Sequence, residues 1–114
     1  MDKECIFCKI HDEDIPADFV YRDETVMVIR DIAPQAPIHL LIIPNEHVVL
    51  GDSVKNHHER MLGNMFRIAE KIARLQSVDT TGYRLTVNQG RDGGQVVDHL
   101  HMHFLSGRSM RAMG

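Results

Sequence analysis

The residues best equipped for chemistry lie near the C-terminal end of this 114-residue sequence, in His99-Leu100-His101-Met102-His103. Side chains alternate along a β-strand, so His at every second position share one face, with backbones about 7 Å apart. Leu100, Met102 and Phe104 then share the opposite face, where a helix can cover them. Burying three adjacent imidazoles without a purpose is costly, which weighs against a purely structural role. Two kinds of chemistry suit the pattern. Alternate His can converge on one metal ion. Alternatively, a neutral imidazole keeps a free ring nitrogen at neutral pH and can act as a nucleophile. Its neighbours can then donate hydrogen bonds to an anionic substrate and protonate a leaving group.

Nearby residues favour phosphate as that anion. Gly90-Arg91-Asp92-Gly93-Gly94 precedes the triad, and glycines can turn backbone N–H groups towards an anion, although Asp-Gly is also an ordinary turn dipeptide. Asn88 closes the preceding strand, on the face of Arg84 and Thr86, and suits a turn equally well. Asp31 alone reads as a turn residue ahead of Ile32-Ala33-Pro34. The pair in Cys5-Ile6-Phe7-Cys8 reads as a redox couple, half a zinc site or coincidence. The βαβ setting of a redox pair is absent, and zinc needs two further ligands. His11, His57 and His58 read as solvated surface residues, with His58 also spaced to face a core.

The elements that must position these groups follow from periodicity. Residues 19–21 and 26–29 are β-rich and flank Arg22-Asp23-Glu24-Thr25, which predicts a hairpin. Residues 38–43 are apolar on both alternating faces, as expected of a central strand in a sheet covered on both sides. Asp52 or Ser53 can cap a helix. Helical spacing runs over residues 54–76, with an apolar stripe at Met61, Leu62, Met65, Phe66, Ala69, Ile72 and Ala73. Residues 83–88 and 97–105 predict a fourth and a fifth strand, and residues 6–10 a short helical turn. Three strands before the helix and two after it predict an α+β fold with a mainly antiparallel sheet.

Composition bounds the class. A chain of 114 residues with 43% hydrophobic and 25% charged residues matches one globular domain and argues against disorder. The net charge of −3 and the lack of a basic run disfavour a nucleic-acid polymer as partner. Eight His make the charge sensitive near pH 6 to 7. No apolar run exceeds the four residues of Leu40-Leu41-Ile42-Ile43, too short to span a membrane. Met1-Asp2-Lys3-Glu4 lacks the layout of a signal peptide. Cytoplasmic localisation is therefore expected.

The sequence as a whole resembles the histidine-triad (HIT) family. The motif is His99-x-His101-x-His103 followed by two apolar residues. Cys5-Ile6-Phe7-Cys8-Lys9-Ile10, Ile15-Pro16-Ala17 and Asp31-Ile32-Ala33-Pro34-Gln35-Ala36-Pro37-Ile38-His39 are similar to the Hint branch of that family. So are Asn88-Gln89-Gly90 and Asp92-Gly93-Gly94-Gln95, and the segments occur in the family's order across nearly the whole chain.

The resemblance implies a single HIT domain over residues 1–114, with a five-stranded sheet, one long helix and a short N-terminal helix. It also implies a homodimer whose two sheets join. The implied activity is hydrolysis of purine nucleoside phosphoramidates or related nucleotidyl compounds. By the same resemblance His101 is the nucleophile, forming a nucleotidyl-histidine that water resolves to a nucleoside monophosphate. His103 contacts the phosphate and leaving group, while His39 and His99 support the nucleophile. Asp31 accepts from the ribose hydroxyls and Ile32 lines the base pocket. Asn88 and the backbone N–H groups near Gln95 and Val96 hold the phosphate. A structural zinc on Cys5, Cys8, His47 and His99 is implied by relatives with the same N-terminal pair. Two positions depart from the family pattern. Val96 replaces a common Ser or Thr, and Asp98 replaces an aromatic or apolar residue, on the face opposite the His by alternation. A metal-dependent hydrolase with His99, His101 and His103 as ligands, and a nucleotide-binding module of low turnover, are the competing readings.

Overall fold

The computed structural model describes residues 4–114. Met1, Asp2 and Lys3, read above for a leader, lie outside the described residues. Five strands form one sheet in the order β1-β2-β3-β5-β4. They are β1 (Phe19–Arg22), β2 (Val26–Arg30), β3 (Ile38–Pro44), β4 (Arg84–Thr86) and β5 (Met102–Ser106), and every neighbouring pair is antiparallel. Two helices flank the sheet, α1 (Ile6–His11) and α2 (Glu59–Leu75). The expected α+β fold is thus the observed one. Among the described residues no helix is long and apolar enough to cross a membrane.

Two-residue alternation splits the core into two layers. Val26, Val28, Leu40 and Ile42 face α2, where Met65, Ile68, Ala69, Ile72 and Ala73 cover them. Met27, Ile29, Leu41 and Ile43 face the other way, onto Phe7, Cys8 and Ile10 of α1. Strand β3 is central and covered on both faces, as its doubly apolar pattern predicts.

Three boundaries differ from expectation. The fifth strand begins at Met102 and not at residue 97. Its ladder with β3 ends at Ile42↔Met102, two residues before Pro44, which has no N–H to donate. Leu100 N–H turns instead to Val48 O at 2.8 Å. Strand β4 is correspondingly cut to three residues, because past Thr86↔His103 it has almost no partner left. The long helix begins at Glu59 after a 3₁₀ turn over Asn56–His58. Ser53 does not cap it; its Oγ accepts from Val49 N–H at 2.7 Å. Within α2, Phe66 is exposed and Ile68 takes the core position.

The β1–β2 hairpin turns on Asp23. Its Oδ1 accepts from Thr25 N–H at 2.8 Å, Thr25 Oγ1 at 3.0 Å and Val26 N–H at 2.9 Å, and its Oδ2 accepts from Tyr21 OH at 2.7 Å. Burial alone would raise this carboxyl; the hydrogen bonds outweigh it and bring the pKa down to about 2 from 3.8. The folded value lies below the unfolded one, so this stabilisation is full above about pH 4 and is lost as pH falls towards 2. Asp23→Ala should cost about 1–2 kcal/mol, read as a lower urea midpoint at pH 7. An unchanged midpoint would contradict this account of the turn.

Candidate active site

The histidines stand on the α1 side of the sheet. His39 comes from β3 and His103 from the adjacent β5, where they sit diagonally in the ladder (His39↔Leu105, Leu41↔His103). His99 and His101 precede β5, yet alternation persists. Leu100, Met102 and Phe104 enter the α2 layer, while His99 and His101 are buried on the other side beside Phe7. The Phe7 ring meets both edge-on, at 5.7 Å from His99 and 5.1 Å from His101.

Backbone carbonyls decide which ring nitrogens carry protons, because a carbonyl oxygen only accepts. His101 Nδ1 lies 2.7 Å from His99 O. Nδ1 therefore holds the proton, and Nε2 keeps its lone pair. His99 Nε2 lies 2.9 Å from Pro44 O, so Nε2–H donates there and Nδ1 is the free acceptor. That nitrogen points at Cys5 Sγ (3.2 Å) and Cys8 Sγ (3.7 Å). Burial holds His99 down to about 4, against the upward pull of the Pro44 hydrogen bond.

The ligand atoms of Cys5, Cys8, His47 and His99 lie within 4.8 Å of one another. His47 Nδ1 is 3.3 Å from Cys8 Sγ. Tetrahedral zinc on two sulfurs and two nitrogens needs ligand atoms roughly 3.3–3.8 Å apart, so spacing, donor set and the His99 tautomer all fit. The three triad rings offer no such convergence. Their nitrogens reach separately to the cysteines, to His99 O and to His39.

His103 Nδ1 lies 2.9 Å from His39 Nε2. Burial, then His101 and His39 beside it, lower His103 to about 4, with Asp31 opposing. The folded pKa is below 6.5, so the unfolded chain protonates first. Stability from a neutral His103 is full above pH 6.5 and declines as pH falls to about 4. By NMR, the His103 ring should stay neutral from pH 8 to about 5 and titrate near 4. A midpoint near 6.5 would contradict that environment.

A cavity of about 600 Å³ opens beside His101, lined by Phe7, Ile29, Asp31, Ile32 and Val96 among others. Its size and apolar walls suit a small aromatic ligand. Ile32 is 97% and Val96 93% exposed, two apolar lips at the mouth of the cavity. Asp31 Oδ1 accepts from Ala33 N–H at 2.8 Å, the expected turn contact, and Oδ2 faces His39.

The glycine loop is less open to an anion than its composition suggests. Gly90 N–H donates to Gln95 Oε1 (2.8 Å), Gly94 N–H to Arg91 O (3.0 Å) and Gln95 N–H to Gly90 O (3.1 Å). The Gln95 amide is thus committed inside the loop, and Val96 carries that edge. Gly93 is required there, because a Cβ would sit 2.4 Å from Gln89 O. Asn88 is half-buried two residues past Thr86, which pairs with His103. Asp98 is exposed, so it makes no demand on the core. His58 is buried rather than solvated, with Lys55 N–H donating to Nδ1 (2.9 Å) and Nε2 2.8 Å from Glu46 Oε2. Sequence reasoning missed the partners that set the tautomers, His99 O, Pro44 O and Gln35 N–H, because backbone groups leave no mark in residue type.

An alternating His set beside an apolar cavity on an antiparallel sheet defines a histidine-triad protein. The HIT domain family matches residues 12–110, and the chain belongs to that family. It is 48% identical over 113 residues to a purine nucleoside phosphoramidase from Escherichia coli, covering 99% of this chain and 95% of the relative. Among solved structures, a HIT family hydrolase from Legionella pneumophila is 42% identical with a TM-score of 0.91, covering 95% of this chain and 96% of that one. A histidine triad protein from Clostridium difficile is 35% identical with a TM-score of 0.94, covering 100% and 99%.

Proposed function

We propose that this chain is a hydrolase that cleaves purine nucleoside phosphoramidates, or related nucleotidyl compounds, to a nucleoside monophosphate through a nucleotidyl-His101 intermediate. The observation that carries the reading is the 2.7 Å contact between His101 Nδ1 and His99 O. It leaves a lone pair on Nε2 of a ring that borders the cavity. In the first step Nε2 bonds to the α-phosphorus and the bond from phosphorus to the leaving nitrogen breaks. That electron pair goes to the nitrogen, which takes a proton from water. The imidazolium charge is met at Nδ1–H by the His99 carbonyl. In the second step water attacks phosphorus, its proton goes to the hydroxide left by the first step, and the N–P electron pair returns to His101. One water is consumed overall. His103, with Nδ1 facing His39, can donate from Nε2 to the phosphoryl oxygens.

The purine sits between Ile32 and the apolar wall, and Asp31 accepts from the ribose hydroxyls. Asn88 and Val96 N–H border the phosphate; Gln95 acts by holding the loop closed. Cys5, Cys8, His47 and His99 would hold a structural zinc, which would supply a cross-link and not a reagent, steadying the His99 backbone whose carbonyl orients His101. The nearness of His99 to both groups supports that link. The protein works as one domain in the cytoplasm, a place consistent with two cysteines outside any disulfide. It pairs as a homodimer, with the short edge strand β4 and exposed Val87 as a candidate seam.

The direct test is AMP release from adenosine 5′-phosphoramidate. Steady AMP formation supports the reading. Tight AMP binding with no turnover of any nucleotidyl substrate would replace it with the binding-module reading, which the missing hydroxyl at Val96 favours. Val96→Ser should raise kcat about threefold to tenfold through one added hydrogen bond near the leaving group. A kcat unchanged or lower in Val96→Ser would remove that position from the mechanism.

A further inference from the structure

Gln35 N–H donates to His39 Nδ1 at 3.0 Å. A neutral His39 therefore has its one ring proton on Nε2. His103 Nδ1 takes that hydrogen bond at 2.9 Å, and Asp31 Oδ2 lies 3.3 Å from the same nitrogen as a second acceptor within reach. These three side chains also group as a possible cation site. The tautomer argues against a cation there, since a metal on Nε2 would require lone pairs on both nitrogens of His39. The cluster therefore has one ring proton and two acceptors within reach of it, with His103 holding it in this structure.

We infer that Asp31 competes with His103 for the Nε2 proton of His39, and that sugar hydroxyls on Asp31 end the competition and fix His103 for turnover. The inference rests on the proposed function, in which Asp31 binds ribose. Among the described residues, His39 is the one hydrogen-bond partner of His103. While His39 donates to it, Nδ1 of His103 is held as acceptor and Nε2–H is available to the phosphate. When the His39 proton turns to Asp31, nothing holds that tautomer. The alternative tautomer presents a lone pair to the phosphoryl oxygens. Asp31 Oδ1 is already engaged by Ala33 N–H, so Oδ2 is the oxygen with capacity to spare. Asp31 also lines the cavity wall beside His101. Two hydroxyl donors weaken its pull on His39, and the proton goes to the nearer acceptor. Asp31 is thus a positioning residue that makes turnover depend on a sugar that bears its hydroxyls.

The test compares adenosine 5′-phosphoramidate with its 2′,3′-dideoxy analogue in the wild type, Asp31→Ala and Asp31→Asn. In the wild type, kcat itself should fall about fivefold to tenfold on the analogue, the value of one well-placed hydrogen bond. In Asp31→Ala the ratio of the two kcat values should approach one, and kcat on the analogue should exceed that of the wild type. Asp31→Asn should behave alike, and its Oδ1 can still accept from Ala33 N–H if the Ala variant loses the turn. A wild type that shows only a raised KM on the analogue, or variants no faster on it, would overturn the inference while leaving the hydrolase intact. No hydrolysis of the ribose substrate would overturn the proposed function instead. Nitrogen-15 NMR of His103 then decides the inference alone. AMP should hold the Nε2–H tautomer and dideoxy-AMP a mixture; one tautomer with both would overturn it.

Discussion

His101→Ala should lower kcat for adenosine 5′-phosphoramidate by about 10⁴-fold or more, the scale on which loss of a covalent nucleophile acts. No nearby group can take over. His99 spends Nε2 on Pro44 O and directs Nδ1 at the cysteines. His103 directs Nδ1 at His39. His101→Asn separates lost chemistry from lost structure, since its amide can still donate to the His99 carbonyl but offers no nucleophilic nitrogen. Both variants should keep AMP affinity within a few-fold, because the cavity walls are built by Phe7, Ile29, Asp31 and Ile32. Activity within tenfold of the wild type in either folded variant would remove His101 from the nucleophile's role.

The second large effect concerns the Cys–His cluster. Purified protein should carry one zinc per chain, and Cys8→Ser should lose it. A ligand held at a thousandfold excess over its Kd stabilises the folded state by about 4 kcal/mol. Stripping the zinc with a chelator should therefore lower Tm by about 15 °C or more for a domain of this size. Turnover should decline with it, because His99 Nδ1 faces the cysteines while its carbonyl orients His101. Metal analysis paired with calorimetry checks this. An unchanged Tm after complete chelation, or no metal at all, would reduce the four residues to a packed thiol–imidazole cluster.

Much of this arrangement is legible in the sequence because it depends on periodicity and residue type. The doubly apolar run ending at Ile43 marks the central strand, and the alternation from His99 to Phe104 separates imidazoles from core. The family resemblance, rather than spacing, supplies Asp31, Ile32 and the two further candidate zinc ligands. What stays hidden depends on partners distant in the chain. The late start of β5 follows from Pro44 on another strand, and Leu100 turns to a loop carbonyl at Val48. Phe66 and Ile68 exchange roles because helix rotation on the sheet is set by packing, not by the moment of the sequence alone. His58 has the spacing to face a core but no residue type that predicts its partners, Glu46 and Lys55 N–H. The glycine loop looks like an anion cradle, yet Gln95 reaches back to occupy it.

The central claim is a covalent nucleotidyl-His101, and the stereochemical course at phosphorus tests it most directly. A P-chiral adenosine 5′-phosphoramidothioate turned over in ¹⁸O-labelled water yields a chiral thiophosphate product. Two successive in-line displacements, first by His101 Nε2 and then by water, predict net retention of configuration. Net inversion would mean that water attacks phosphorus directly, and would contradict the account.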